Sequence, residues 1–251
     1  MTLLKSMIIS FSTYSRLPMP WVEWNDKNMK YSLIFFPLIG AIIGGVLCGW
    51  WWLSRSLDFG IFMKSAVAMS IPVFITGGIH LDGFLDTIDA LSSYQPKEKK
   101  LEILKDPHTG AFAIIGCGAY YILYFGAMTE LTSLKAYVLL SLGFVLSRAF
   151  SGIALVLLRS AKKEGLLYTF SSAAHRKITG IMLAILILIC TGVMLYIDIA
   201  AGTALILTAV IVFCYYKWIS YRQFGGITGD LAGFFLQICE LAIVITAAVF
   251  I

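Results

Sequence analysis

Charge is scarce in this chain. Only 13% of its 251 residues are charged, against roughly a quarter in soluble globular domains. That shortage excludes an ordinary water-exposed surface. Cysteines are few and isolated: Cys48, Cys117, Cys190, Cys214 and Cys239 sit singly in apolar runs with no C-x-x-C spacing. This pattern gives no sign of a thiolate metal centre and reads as small buried hydrophobes. The stretch Met1 to Pro20 carries Lys5 but no small-residue cleavage site, so a removed signal peptide is not expected. No internal repeat, low-complexity tract or linker divides the chain.

What the chain has instead is apolar length. Hydrophobic residues make up 59% of it, the mean hydropathy is +0.87, and apolar runs recur at about the 20 residues a helix needs to cross a bilayer. The pattern predicts an all-α polytopic membrane bundle of about seven transmembrane helices, forming one integral-membrane domain over residues 1–251. The expected spans are Leu33–Leu53, Ile61–Ile79, Ala111–Met128, Ala136–Leu158, Ile178–Ile197, Ala201–Tyr216 and Leu231–Ile251. Ahead of them, Leu3, Leu4, Met7, Ile8 and Phe11 share one helical face, which predicts an interfacial amphipathic helix.

With the N-terminus inside, fifteen of the nineteen basic residues fall in cytoplasmic segments; only Arg55 and Lys135 fall outside, and Lys64 and Arg148 lie within spans. The net charge of +5 is therefore a topology signal, and nucleic acid is not implied. The longer loops are also the internal ones. Chemistry is expected on the cytoplasmic face of the membrane.

The densest polar stretch is Thr76-Gly77-Gly78-Ile79-His80-Leu81-Asp82-Gly83-Phe84-Leu85-Asp86-Thr87-Ile88-Asp89. If the second span continues inward as one helix, Asp82, Asp86 and Asp89 share a face. Carboxylates about 6 Å apart repel by roughly 2–3 kcal/mol per pair at an effective dielectric near 20, so a compensating cation is expected. Oxygen-only ligands suit Mg²⁺, Mn²⁺ or Ca²⁺, and Mg²⁺ pairs a few carboxylates with substrate phosphates. The alternative is a merely acidic, solvated helix end.

Downstream, KEKKLEILKDPHTG ends at the third span. Lys97, Lys99 and Lys100 read as topology and attraction to anionic membrane lipid. Lys105, Asp106, His108 and Thr109 are candidate substrate contacts, opening a helix whose first amides favour an anion. His80 and His108 are candidate metal ligands, acid-base groups or plain hydrogen-bonding residues.

A second cluster, Phe224-Gly225-Gly226-Ile227-Thr228-Gly229-Asp230, precedes the last span. Its glycines would let backbone approach a phosphate, with Thr228 and Asp230 as substrate contacts and Asp230 also a candidate helix cap. Glu240 lies about 15 Å further along that helix, at 1.5 Å per residue. Buried there, it is either functional or the partner of mid-span Arg148, which is itself a candidate for substrate or for holding the bundle together.

These stretches resemble a known family. GGIHLDGFLDTIDAL, LEILKDPHTGAFA and GGITGDLAGFFLQICE, in that order, look like the cobalamin synthases, the adenosylcobinamide-GDP ribazoletransferases. The likeness extends to Arg16-Leu17-Pro18-Met19-Pro20 and Phe36-Pro37-Leu38-Ile39-Gly40. The resemblance implies an Mg²⁺-dependent inner-membrane enzyme joining adenosylcobinamide-GDP to α-ribazole or its 5′-phosphate. The ribazole 3′-hydroxyl would attack the phosphorus next to the aminopropanol, and GMP would leave. By position, Asp82, Asp86 and Asp89 correspond to the family's acidic motif for Mg²⁺ and the diphosphate, with Asp89 the expected proton acceptor. Many members carry arginine and serine at the positions of Lys105, Pro107 and His108, and an arginine near Lys162; here lysine keeps the charge but not a bidentate fork.

Two other readings stay open at this point. The DG-x-x-D stretch is similar to that of CDP-alcohol phosphotransferases, although their following Ala-Arg and distant Gly and Asp are absent. Intramembrane polar residues also suit a cation-coupled transporter, against which stand the boundary position of the acids and the lack of an inverted repeat. The number of subunits is not set by the sequence, and a homo-oligomer is one outcome.

Overall fold

The computed structural model describes residues 2–251, which form twelve α-helices and no β-strand. They are α1 (Thr2–Tyr14), α2 (Asp26–Met29), α3 (Ser32–Ser56), α4 (Ile61–Thr76), α5 (Ile79–Ser92) and α6 (Lys97–Ile103), followed by α7 (Ala111–Glu130), α8 (Leu134–Leu157), α9 (Leu166–Ala173), α10 (Arg176–Ile197), α11 (Ile199–Ile219) and α12 (Gly229–Phe250). Six are long and apolar enough to cross a membrane, α11 being extended to Phe224 by a π-helical turn. The chain is thus a multi-pass membrane protein. The sixth expected span is longer than its apolar run suggested.

The second expected span departs from expectation. It breaks at Gly77-Gly78, both left-handed with φ of 66° and 78°, and α5 leaves α4 at 95°. Left-handed backbone is costly for residues with a Cβ and routine for glycine. The three aspartates therefore ride on their own helix rather than on an inward continuation of the span.

The helices assemble by apolar faces. α8 is the most enclosed, packed against α3, α10 and α12. α1 docks on α3, burying Ile8, Ile9, Phe11 and Tyr14, while Leu3 and Leu4 of the expected stripe remain exposed. Its last residue, Tyr14, reaches the site described next.

Candidate active site

Two glycines bring the two polar motifs together. α5 and α12 run in close contact, and a Cβ on Gly83 would lie 2.7 Å from the Asp230 Cα, while one on Gly233 would lie 2.7 Å from the His80 carbonyl oxygen. No larger residue fits either place. Phe84 and Phe234 stack across the same seam with centroids 5.9 Å apart. Stretches separated by about 150 residues thus share one cavity of about 560 Å³.

Five expected residues line it: His80, Asp82, Lys105, Thr228 and Asp230. The interior is apolar, with Phe36, Leu155, Leu167 and Leu236, and the mouth is polar, with Lys105, Ser160, Lys162 and Glu164. His80 is buried with Tyr14 stacked at 6.2 Å and Phe36 edge-on at 5.7 Å. Its Nε2 has no hydrogen-bond partner. A buried polar atom left unpaired is costly, so this one is a natural contact for a ligand.

The mouth is stitched from two loops. The Ala161 amide donates to the Ile227 carbonyl at 2.9 Å, and the Ile227 amide to the Arg159 carbonyl at 2.9 Å. Thr228, rather than Asp230, caps α12: its Oγ1 accepts from the Leu231 amide at 3.2 Å. That leaves the Asp230 carboxylate for the cavity. Lys162 reaches back to the Leu101 carbonyl at 2.9 Å. Burial, then the nearby Lys105 charge, hold the Lys162 ammonium below the usual lysine range, against the opposing pull of Asp230 and Glu164. Lys105 pairs with Glu164 at 2.6 Å in full solvent contact, an attachment worth little and readily exchanged for a phosphate.

The acidic helix divides its carboxylates between two tasks. Asp86 has Asp82, Asp230 and Asp89 as charged neighbours. Asp89, however, faces the first turn of α7, where Oδ2 accepts from the Gly110 amide at 2.6 Å and Oδ1 from the Ala113 amide at 2.8 Å. The helix N-terminus expected to hold a substrate anion is occupied by the protein's own carboxylate. Both oxygens being engaged, Asp89 is neither a free proton acceptor nor an open metal ligand in this geometry. Asp89→Asn keeps one acceptor and loses the charge, and should cost about 1 kcal/mol of stability. The measurement is the melting temperature in detergent, and an unchanged melt would refute the capping role.

Among the described residues no three His, Cys, Asp or Glu side chains form a ready-made metal cage. A Mg²⁺ ion would need only one or two carboxylates, with water and phosphate oxygens completing its shell. Asp230 and Asp82 line the cavity and Asp86, outside its wall, is their charged neighbour, and the mutual repulsion of the three favours a cation.

The other expected residues lie apart. Asp106 and His108 pair only with each other, Nδ1 to Oδ1 at 2.7 Å, and together with Thr109 they sit on an exposed turn. The amide and side-chain hydrogen bonds from His108 hold the Asp106 carboxyl below the usual carboxylate range. Arg148 and Glu240 form a fully buried ion pair at 2.6 Å, one turn below the cavity floor made by Ser151 and Leu236. These five residues were expected to touch substrate, and the structure puts none of them in the cavity wall. Conversely, Tyr14 and Ser160 line the cavity although the sequence motifs did not single them out. Lys162, which the resemblance marked only as near a family arginine, lines it too.

Comparison with known proteins then adds an independent line. A family model described as cobalamin-5-phosphate synthase matches residues 6–248. The chain is 48% identical to the adenosylcobinamide-GDP ribazoletransferase of Lachnoclostridium phytofermentans, over 99% of this chain and 96% of the relative. It is 35% identical to the enzyme of that name from Clostridium botulinum strain Alaska E43, over 99% and 98% respectively. With that of Treponema denticola it shares 31% over 97% of each. No solved structure matches.

Proposed function

Because the chain belongs to the cobalamin-5-phosphate synthase family and is a membrane-embedded transferase, we propose that it joins adenosylcobinamide-GDP to α-ribazole, or to the ribazole 5′-phosphate, with release of GMP. The observation that carries this reading is the meeting of Asp82 and Asp230 with Lys105 and Lys162 around one cavity. That is an arrangement for a pyrophosphate, not for a neutral solute.

Lys105 and Lys162 hold the pyrophosphate at the mouth, each as a point charge. Asp86 and Asp230 would hold Mg²⁺, which would supply positive charge to offset the pyrophosphate and the leaving GMP. Asp82 is exposed and its carboxylate makes no hydrogen bond among the described residues, so its Oδ atoms are available to accept the proton of the ribazole hydroxyl. The new bond runs from that hydroxyl oxygen to the phosphorus bearing the aminopropanol. The bridging P–O bond breaks, and GMP carries away its electron pair. The basic internal loops support a cavity mouth on the cytoplasmic side of the inner membrane, with the N-terminus inside.

Purified protein supplied with adenosylcobinamide-GDP, α-ribazole and Mg²⁺ should release GMP in step with the joined corrinoid. CDP-diacylglycerol with an alcohol should yield no CMP. Absence of GMP with the first pair overturns the reading.

A further inference from the structure

A second cavity, of about 550 Å³, lies on the other side of α5 and is unlike the first. Ile79 and Asp82 line both, so that Asp82 stands between them. The end of α1 and the Gly77-Gly78 break supply its polar side, and Leu81 and Leu85 of α5 an apolar one.

The donors there narrow to one side chain. Ser12 and Thr13 commit their hydroxyl protons to the Ile9 carbonyl, at 3.1 and 2.7 Å, and the buried hydroxyls of Ser15 and Thr76 likewise bond to backbone. Arg16 is held by its amide, which donates to the Ile75 carbonyl at 2.8 Å. Its guanidinium has no ion pair or hydrogen-bond partner among the described residues. The side chain lies across Gly77 where a Cβ would stand, so the left-handed glycine admits the arginine to this place. Beside it, α5 begins without a side-chain cap. An exposed guanidinium that no carboxylate pairs with, at the polar side of a concave wall, suits a phosphate with two oxygens in its plane.

We infer that this second cavity is a phosphomonoester subsite in which Arg16 binds the 5′-phosphate of the incoming nucleoside. The inference rests on the proposed reaction. It places the nucleoside on the Arg16 side of Asp82 and the pyrophosphate on the Lys105 and Lys162 side. The hydroxyl then meets the phosphorus beside Asp82, on the side opposite the P–O bond to the leaving GMP, as an in-line displacement requires. Arg16 is thereby a specificity residue, setting the preference for phosphorylated over free α-ribazole.

The test compares wild type, Arg16→Ala and Arg16→Lys in phosphatidylcholine nanodiscs, with and without added phosphatidylglycerol. KM is read for each substrate, and equilibrium dialysis of α-ribazole 5′-phosphate gives a Kd that needs no turnover. Arg16→Ala should raise KM and Kd for the 5′-phosphate at least about tenfold. The KM values for free α-ribazole and for adenosylcobinamide-GDP should stay within about twofold, and Arg16→Lys should recover part of the loss. Equal loss with both nucleosides overturns the inference, as does a loss confined to adenosylcobinamide-GDP, which would move Arg16 to the pyrophosphate. A defect seen only with phosphatidylglycerol assigns the guanidinium to a lipid headgroup instead and also overturns it. Should wild type release no GMP, the reaction fails, and the dialysis still decides on Arg16.

Discussion

Asp82→Asn should lower GMP release about a thousandfold, the middle of the range lost when a positioned proton acceptor is removed, while the melting temperature stays unchanged. The substitution preserves shape and the α5 helix. It removes the one carboxylate that faces both cavities and that no protein donor occupies. Because Asp82 is exposed and lies outside the α5–α12 seam made by Gly83 and Gly233, a loss of activity cannot be passed off as a loss of packing. The matched control is Asp106→Asn. Asp106 also belongs to a family motif, but among the described residues it bonds only to His108 on an exposed turn, so turnover should stay within about twofold. Steady-state GMP release from purified variants decides both. Turnover by Asp82→Asn near that of wild type would remove the carboxylate from the chemistry.

The contrast between these two aspartates shows what was legible in the sequence and what was not. The bundle was legible because a bilayer imposes a length on every apolar run, and six of the seven expected spans are single long helices. His80, Asp82, Thr228 and Asp230 were legible because a polar residue at the edge of an apolar span has few structural reasons to be there. Asp89 was misread by the same logic. Its i, i+7 spacing from Asp82 correctly implies a shared helix, but spacing says nothing about which neighbour that helix will meet, and Asp89 meets the first amides of α7. The 95° bend was hidden because two glycines in an apolar run look alike whether the chain passes straight through them or turns. Lys162 and Arg16 entered as charges that orient the chain and as positions in or near the family's motifs, without a place in a site. Only the folded geometry, with Ser160 bridged to Ile227 and Arg16 lying over Gly77, turns a count of cations into places.

The largest effect on stability is expected at Arg148 and Glu240. The pair is closed at 2.6 Å with side-chain exposures of 0% and 1%. Arg148 Nη1 also donates to the Phe144 carbonyl at 3.0 Å, and its guanidinium lies 5.5 Å from the Phe144 ring centroid. Removing one member of such a pair strands the other charge in a low-dielectric interior, at a cost of about 3–5 kcal/mol, a large part of the 5–15 kcal/mol that holds a typical protein folded. The two single variants are not equivalent. In Arg148→Met the orphaned Glu240 can bind a proton and shed its charge, whereas in Glu240→Gln the guanidinium cannot deprotonate. Glu240→Gln should therefore melt at the lower temperature. The double variant, Arg148→Met with Glu240→Leu, leaves no stranded charge and should regain most of the loss, as apolar replacements of buried ion pairs commonly do. Melting curves of the three variants in one detergent read this order directly. Since the pair lies below the cavity rather than in its wall, KM for both substrates should be near the wild-type value in whatever fraction folds. A double variant no more stable than the singles, or a KM raised tenfold in a fully folded one, would mean that the pair answers to substrate and not to the bundle.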